Sequence, residues 1–106
     1  MESVQLVLNS NGHGTFLIME GKEKIAEMVI AADDKNITVY HTEVSPEAEG
    51  KGLAKGLLEE MVAYARKKKL SVIPLCPFVH AQFKRHPDQY ADIWNKEGEE
   101  ESNREV

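Results

Sequence analysis

The sequence predicts an α+β domain in which a four-stranded antiparallel meander is joined through one long helix to a fifth strand that runs parallel to its neighbour. Apolar side chains alternate with polar ones over the first 44 residues, and turn residues separate the alternating segments. After Val44 the apolar residues recur at spacings of three and four, and a short apolar run without alternation begins at Val72. The 106 residues, 42% of them apolar, suffice for one such domain.

Four segments have the period of two that marks a strand with one buried face. They are Val4–Leu8, Phe16–Met19, Ile25–Ala31 and Ile37–Val44. The Asn-Gly pair in 9–12 tolerates the positive φ of a tight hairpin, and residues 33–36 form a second polar turn. In the fourth segment, strict alternation places His41 on the face of Val39 and Thr42 on the opposite face.

A long amphipathic helix is predicted after the fourth strand. Ser45 and Pro46 suit the start of a helical turn, and Gly50 and Gly52 precede the periodic segment. The apolar residues of that segment are Leu53, Leu57, Leu58, Met61, Val62 and Ala65. We expect about 15 to 18 helical residues. The basic run 66–69 then complements the negative end of the helix dipole, or alternatively attracts an anionic ligand.

The run Val72–Leu75 lacks alternation, which is typical of a strand covered on both faces and parallel to a neighbour. Pro74 has no N–H to donate, so this strand is either an edge or parts from its neighbour at that level. Two helical segments are predicted on either side of a break at His86-Pro87. Their apolar residues are Phe78, Val79 and Phe83, and then Tyr90, Ile93 and Trp94.

The formal net charge of -5 is concentrated at the C-terminal end. Residues 96–106 carry five acidic and two basic side chains, so we expect a solvated, disordered tail after a domain in residues 1–95. The nearly neutral remainder argues against nucleic-acid binding, and no apolar run approaches the ~20 residues of a membrane span.

The single cysteine, Cys76, and the lack of a leader favour a reducing cytoplasm. We expect a monomer.

The segment 44–54 places a strand end, a loop with two glycines and a helix start in succession. Backbone N–H groups and the helix dipole favour an anion there, and glycines let a diphosphate approach the main chain. A nucleotide P-loop is excluded because the second glycine, Gly52, is followed by Leu53 and not by the lysine of Gly-Lys-Ser or Gly-Lys-Thr. A dinucleotide fingerprint is excluded because Gly56 comes one residue late. An anion cradle remains, or glycines that only ease entry into the helix.

Three motifs in this order resemble the GNAT superfamily of N-acetyltransferases. They are Gly50-Lys51-Gly52-Leu53-Ala54 opening the helix, His41-Thr42-Glu43-Val44 ending the fourth strand, and Val72-Ile73-Pro74-Leu75-Cys76-Pro77-Phe78-Val79 followed by Arg85-His86-Pro87. Together they are similar to a small single-domain GNAT-like subfamily of acetyl-CoA-binding proteins. The resemblance spans residues 4–94 and implies the GNAT-like (acyl-CoA N-acyltransferase) fold.

The resemblance also implies where acetyl-CoA binds. The fourth and fifth strands splay, and the pantetheine arm enters between them along main-chain groups near Val44. The diphosphate lies over the N–H groups of Glu49, Gly50, Lys51, Gly52, Leu53 and Ala54. Glu49 stands where the superfamily commonly has Gln or Arg. Because a carboxylate repels a diphosphate, we expect its side chain to face solvent and only its amide to contribute.

Acetyl transfer to an amine needs a base and a proton for the departing thiolate. His41 and Glu43 are candidate bases because they end the strand that should line the cofactor, although both could be structural. Cys76 lies where the fifth strand ends, so a transient acetyl-cysteine is conceivable, whereas a buried cysteine can also act as a small hydrophobe.

Other family features are absent from the sequence. The superfamily commonly carries a tyrosine acid on the helix after the fifth strand, but here residues 81–83 read Ala-Gln-Phe, and Gln82 cannot supply an acid proton. The remaining histidines lack metal-ligand spacing, so no metal is expected. The leading hypothesis is acetyl transfer from acetyl-CoA to an amine on a small molecule or a protein. The alternative is a non-catalytic module that binds or senses acyl-CoA.

Overall fold

Five strands form one mixed sheet in the order β1-β2-β3-β4-β5 in a computed structural model that describes residues 3–104. The strands are β1 (Val4–Leu8), β2 (His13–Glu20), β3 (Glu23–Ala32), β4 (Asn36–Val44) and β5 (Ser71–Pro74). The helices are α1 (Leu53–Lys68), α2 (Pro77–Arg85), α3 (Pro87–Tyr90) and α4 (Lys96–Arg104), and a 3-10 turn spans Pro46–Ala48. Pairing is antiparallel from β1 to β4 and parallel between β4 and β5, which confirms the predicted fold class. Glu105 and Val106, the end of the predicted tail, lie outside the described residues.

The β1–β2 hairpin depends on the predicted Asn-Gly turn. Asn9 Oδ1 accepts hydrogen bonds from the N–H groups of Asn11 at 2.9 Å and His13 at 3.1 Å. Gly12 has a φ of 85°, and a Cβ there would lie 2.2 Å from the carbonyl oxygen of Ala32. Because any larger residue would collide with that carbonyl, position 12 requires glycine.

The core lies between α1 and one face of the sheet. The helix buries the predicted stripe, which comprises Leu53, Leu57, Leu58, Met61, Val62 and Ala65. On the sheet side, Phe16, Met28 and Ile30 are all buried. Phe16 also meets Tyr64 of α1 edge-on, with ring centroids 5.9 Å apart. The burial of one helix face against the five strands fixes where the N-terminus of α1 lies relative to the end of β4.

A β-bulge in β4 overturns the predicted facing of that strand's second half. Strands β3 and β4 pair in one register up to Val39 and in another from His41 onward, which leaves Tyr40 as an extra residue. Thr42 therefore lies opposite the buried Met28 on the core face. The prediction that His41 shares the face of Val39 was wrong, because strict alternation cannot anticipate an inserted residue. The side chain of His41 is 51% exposed on the outer face.

Strands β4 and β5 part after four residue pairs. Their register runs from Asn36 opposite Ser71 to Val39 opposite Pro74. Pro74 has no N–H to donate, and the next bond joins the Cys76 N–H to the carbonyl oxygen of Val39 at 2.8 Å. Within the described chain, residues 40–44 of β4 have no β5 partner. Pro74 left two alternatives open, and the structure shows both: β5 is the last strand of the sheet and it parts from β4 at Pro74.

The other edge of β5 is covered by a short bridge to the chain that follows α3. Val72 donates its N–H to the carbonyl oxygen of Ile93 at 2.6 Å and pairs with Trp94. Consequently α3 ends at Tyr90, and Trp94 is not part of the predicted helical stripe. The ring of Phe83 stacks on Tyr90 at 4.5 Å and meets Trp94 at 5.7 Å, so these aromatic residues still close the core as expected.

The predicted disordered tail forms a helix up to residue 104. In α4, a Cβ at Gly98 would lie 2.8 Å from Ile73 Cδ1, so the helix packs directly on β5. Glu99 accepts a hydrogen bond from Trp94 Nε1 at 2.9 Å, and its other oxygen lies 2.5 Å from His80 Nδ1. These tertiary contacts order a segment that lacks an apolar stripe.

Between residues 3 and 104, no helix is both long and apolar enough to cross a membrane.

Candidate functional site

The loop between β4 and α1 is shaped by two glycines in the left-handed region. Gly50 has a φ of 84° and Gly52 a φ of 75°, and Gly52 is the N-terminal cap of α1. A Cβ at either position would meet no atom within 4 Å, so only the backbone conformation requires glycine. In the 3-10 turn before the loop, Ser45 Oγ donates a hydrogen bond to Glu47 Oε2 at 2.6 Å. This bond lowers the pKa of the Glu47 carboxyl.

The loop presents a run of backbone N–H groups without protein acceptors. The Glu49 N–H donates to the carbonyl oxygen of Pro46 at 3.4 Å, so the free run begins at Gly50 rather than at the expected Glu49. Within the part of the chain that the structure describes, no group accepts from the N–H of residues 50–55. The first protein-bound N–H after the run is that of Gly56, which donates to the carbonyl oxygen of Gly52 at 3.1 Å. Successive N–H groups without protein acceptors at a helix N-terminus are the kind of donors that can bind an anion.

The side chains around this loop carry both signs of charge. Lys51, Lys55 and Glu49 are all exposed. The exposure of Glu49 agrees with the expectation that its carboxylate faces solvent. An open depression of about 380 Å³ extends from the loop, past Lys55, to Val44 at the end of β4. The loop and the strand end therefore belong to one continuous surface.

The end of β4 has backbone groups that face the gap left by β5. The Ser45 N–H donates to the carbonyl oxygen of Ile25 in β3 at 2.8 Å. Backbone groups alternate in direction along an antiparallel strand, so those of Val44 and Thr42 point away from β3. They face the side from which β5 has departed, where an extended ligand can add like a strand.

Cys76 and Thr42 meet at the base of this gap. The Thr42 Oγ1 atom lies 3.3 Å from Cys76 Sγ, and either atom can donate the hydrogen bond. Cys76 is 1% exposed, and its N–H is bound to Val39. Thr42 Oγ1 is therefore a hydrogen-bond partner of this buried thiol. It also lies where the two strands begin to part, so a ligand in the gap would approach it.

His41 and Glu43 lie on the opposite, outer face of the sheet. Glu43 lies opposite Glu27 of β3 in the strand register, and His41 Nε2 lies 3.8 Å from Glu27 Oε2. Glu27 also forms an ion pair with Lys24, and its side chain is 17% exposed. An open depression of about 500 Å³ is lined by both glutamates and by Val44. This face therefore offers an imidazole with a carboxylate neighbour beside the end of β4.

The structure thus divides the three predicted catalytic candidates between two faces of the sheet. His41 and Glu43 lie together on the outer face, whereas Cys76 lies on the core side with Thr42. Sequence reasoning missed Thr42 because the bulge was not foreseen. It also missed Glu27, although this residue is the one charged side chain in the predicted strand Ile25–Ala31. Among residues 3–104, no group of three or more His, Cys, Asp or Glu side chains could hold a metal ion.

Comparisons with known proteins agree with this architecture. The sequence profile of the GCN5-related N-acetyl-transferase family matches residues 15–93. The NMR solution structure of a GCN5-like protein from Staphylococcus aureus is 29% identical and superposes with a TM-score of 0.64, covering 90% of this chain and 91% of that one. The crystal structure of ribosomal-protein-alanine N-acetyltransferase from Brucella melitensis biovar Abortus 2308 is 16% identical, with a TM-score of 0.57, and covers 76% of this chain and 64% of that one. A comparison with curated protein sequences gives no significant match.

The profile match covers well over half of the chain. The Brucella structure supports the fold alone at its level of identity, whereas the Staphylococcus aureus structure spans nearly the whole of both chains. Both solved structures superpose on this chain with TM-scores above 0.5, in agreement with its mixed α+β fold. The chain belongs to the GCN5-related N-acetyltransferase family.

Proposed function

We propose that the protein binds acetyl-CoA at the loop before α1 and in the gap between β4 and β5, and that it transfers the acetyl group to an amine acceptor. The observation that supports this most is the run of six N–H groups at residues 50–55 without protein acceptors. Diphosphate oxygens accept hydrogen bonds from such groups, and the helix dipole adds to the attraction. All these groups come from one chain, so the site is complete in a monomer.

The loop fits a diphosphate sterically as well as electrically. Neither Gly50 nor Gly52 has a side chain to obstruct the main chain, and both are exposed. The ammonium groups of Lys51 and Lys55 flank the loop, which offsets the repulsion from the Glu49 carboxylate. Because Glu49 is exposed and its charge is screened by water, it weakens binding without preventing it.

The pantetheine arm would lie in the gap between β4 and β5. Its amide groups can pair with the backbone of Thr42 and Val44, which faces the gap. The depression that links Val44 to the loop supplies the path between the two parts of the site. This arrangement brings the thioester end of the ligand toward Cys76.

Cys76 is the proposed nucleophile, and the bound thioester supplies an activated acetyl group. The Cys76 thiol loses its proton, its sulfur forms a bond to the carbonyl carbon as the bond from that carbon to the CoA sulfur breaks, and the proton lost by Cys76 ends on the departing CoA thiolate. The Thr42 hydroxyl, 3.3 Å away, can donate a hydrogen bond that stabilises the Cys76 thiolate. An acceptor amine then attacks the acetyl-cysteine, which forms the amide and releases the Cys76 thiolate.

His41 and Glu43 are the proposed bases for the proton that the amine loses. Glu27 Oε2 lies 3.8 Å from His41 Nε2, so a carboxylate is the neighbour of this imidazole on the outer face. Both residues are on the outer face, so an amine would approach from the side opposite to Cys76. If attack occurs directly on the thioester, the same bases serve and Cys76 has no covalent role.

A non-catalytic module that binds acyl-CoA is the second candidate function. Two observations favour it: Cys76 is 1% exposed, and α2 has Gln82 and Phe83 where the superfamily commonly has a tyrosine acid. In this case the protein senses or shields the cofactor. A reducing cytoplasm suits either function, because the thiol of Cys76 then stays free.

Titration of the ¹⁵N-labelled protein with acetyl-CoA tests binding. We expect the amide signals of residues 50–55 and of Thr42 and Val44 to shift. At about 100 times its dissociation constant the ligand should also stabilise the fold by about 2.7 kcal/mol. Unmoved signals and an unchanged melting temperature would exclude both functions.

An activity assay then distinguishes the two functions. Release of free CoA thiol with polyamines, aminoglycosides or lysine peptides, but not without them, would show that the protein is an enzyme and not a non-catalytic module.

A further inference from the structure

Glu27 is a charged residue in the middle of β3, on the outer face of the sheet, and its side chain is only 17% exposed. Leu17 lies opposite it in β2, and Glu43 lies opposite it in β4. Glutamate is disfavoured in strands, and like charges directly opposite each other destabilise a sheet. Folding alone therefore does not account for a carboxylate at this position.

The two oxygens of the Glu27 carboxylate have different partners. Oε1 forms an ion pair with Nζ of Lys24, three residues earlier in the same strand. Oε2 lies 3.8 Å from Nε2 of His41 in β4. Because Lys24 engages one oxygen, rotation of the carboxylate is restrained, and its other oxygen faces the imidazole.

The bulge in β4 brings the imidazole to this carboxylate. Tyr40 is an extra residue, so His41 lies opposite Val29 and has Glu27 as a diagonal neighbour on the same face. Diagonal neighbours in adjacent strands are within reach of long side chains. With strict alternation, His41 would share the face of Val39 and would not meet Glu27. The inserted residue thus determines which acidic side chain lies beside His41.

We propose that Glu27 is a positioning residue for His41. The inference rests on the proposed function, in which His41 is a base for the acceptor amine. With Nε2–H directed at the Glu27 carboxylate, Nδ1 carries the lone pair of the neutral imidazole. Nδ1 then takes the proton that the amine nitrogen loses as that nitrogen forms its bond to the acetyl carbon. Glu27 remains a carboxylate throughout and does not touch the substrate.

The 3.8 Å between Glu27 Oε2 and His41 Nε2 is longer than a hydrogen bond. The side chain of His41 is 51% exposed, so its ring can rotate toward Oε2 without disturbing the core. Contacts between catalytic groups often tighten only when the substrate binds. Glu27 is thus the fixed member of the pair, and His41 is the member that moves.

A kinetic double-mutant cycle tests whether Glu27 acts through His41. The assay is the release of CoA thiol from acetyl-CoA, with the amine of the above panel that reacts fastest. Glu27→Gln keeps the shape of the side chain and removes its charge. Its kcat should fall at least about tenfold, while the KM for acetyl-CoA stays within about twofold of the wild-type value. In a His41→Ala background, the same substitution should change kcat by less than about twofold.

Glu27→Gln should fold, because it also removes one of two carboxylates that lie opposite each other. Glu23→Gln is the matched control, since it removes the same charge from an exposed position at the start of β3. Its kcat and KM should equal those of the wild type. A Glu27→Gln variant with the kcat of the wild type would overturn the proposal, as would an equal loss of kcat with and without the His41 imidazole.

The ring signals of His41 in a ¹H–¹³C spectrum give a readout that needs no acceptor. They should shift in Glu27→Gln and stay in place in Glu23→Gln, and unmoved signals in both variants would contradict the proposal. If the wild type binds acetyl-CoA but releases no thiol with any amine, the proposed transfer itself fails. That outcome is distinguishable from failure of this inference alone, in which the wild type and Glu27→Gln react equally fast.

Discussion

The hydroxyl of Thr42 lies 3.3 Å from the sulfur of Cys76, although 33 residues separate them in the sequence. Two local features produce this contact. The bulge at Tyr40 turns Thr42 toward the core, and the bond from the Cys76 N–H to Val39 fixes the thiol where β4 and β5 part. The contact places the one thiol of the sequence beside the gap proposed for the thioester.

The first prediction concerns this contact. Incubation with acetyl-CoA should produce an acetylated protein in the wild type, and none in Cys76→Ala, as measured by intact mass. Thr42→Val keeps the volume but removes the hydroxyl, and loss of one hydrogen bond to the attacking sulfur should slow adduct formation roughly tenfold.

Thr42→Ser is the matched control for that experiment, because it retains the hydroxyl. It should react nearly as fast as the wild type. An adduct that persists in Cys76→Ala would place the acetyl group elsewhere, and equal rates for the valine and serine variants would remove the role of Thr42.

The second prediction concerns the loop glycines. Gly52→Ala forces a residue with a Cβ into a φ of 75°, which should destabilise the fold by about 1 to 2 kcal/mol. It should also weaken CoA binding at least tenfold, because the methyl group or a shifted main chain obstructs the diphosphate. Isothermal titration calorimetry measures the affinity, and urea unfolding measures the stability.

Gly21→Ala is the matched control for the loop. Gly21 has a φ of 63° and equally open surroundings, but it lies in the β2–β3 turn. The variant should show a comparable loss of stability with unchanged CoA affinity. If both variants bound CoA like the wild type, the diphosphate would not lie on this loop.

The sequence predicted the elements whose local chemistry determines their structure. The Asn-Gly turn at 9–12 and the 16-residue α1 were both expected, since short-range conformational preferences and one apolar stripe define them. Pro74 limited β5 to two alternatives, an edge strand or a parting from its neighbour, because a missing N–H interrupts any ladder, and the structure shows the parting.

What the sequence did not predict depends on contacts between distant segments. The extra residue at Tyr40 leaves the polarity pattern of β4 unchanged, so the facing of His41 and Thr42 could not be inferred. Helix α4 lacks an apolar stripe and is ordered by Gly98 against Ile73 and by Glu99 against Trp94. Such contacts become visible only in the folded chain.

The third prediction concerns the β3–β4 turn. Asp33 Oδ1 accepts hydrogen bonds from the N–H groups of Asn36 at 2.7 Å and Lys35 at 2.8 Å, and these bonds lower the pKa of Asp33. Asp33→Ala should therefore lower the free energy of unfolding at neutral pH, by less than about 1 kcal/mol because the turn is exposed.

The sign of the pH dependence follows from that lowered pKa. The carboxylate contributes its full stability above the unfolded pKa of about 3.9, and loses it as the pH falls through the lower value of the folded state. The difference between Asp33→Ala and the wild type should therefore shrink on acidification, as followed by urea unfolding. Asp34→Ala is the control, because Asp34 accepts neither turn bond. A difference that grew on acidification would contradict the prediction.

The fourth prediction concerns the packing of α4 on β5. A Cβ at Gly98 would lie 2.8 Å from both Ile73 Cδ1 and Asn95 Nδ2, so Gly98→Val should push the helix away from the sheet. Overpacking of this kind should destabilise the fold by about 1 to 3 kcal/mol. The separation should also break the bond from Trp94 Nε1 to Glu99 and change the tryptophan fluorescence. Hydrogen exchange should be faster in residues 96–104.

Glu101→Val is the matched control for α4, since it introduces the same side chain at an exposed position of the same helix. It should leave the tryptophan emission and the protection of residues 96–104 unchanged. If Gly98→Val behaved in the same way as this control, α4 would not lie against Ile73, and the acidic segment would have the disorder that its composition suggests. A change in Gly98→Val alone would establish that α4, which lacks an apolar stripe, is ordered by the close approach of Gly98 to Ile73 and by the Glu99 carboxylate that contacts Trp94 and His80.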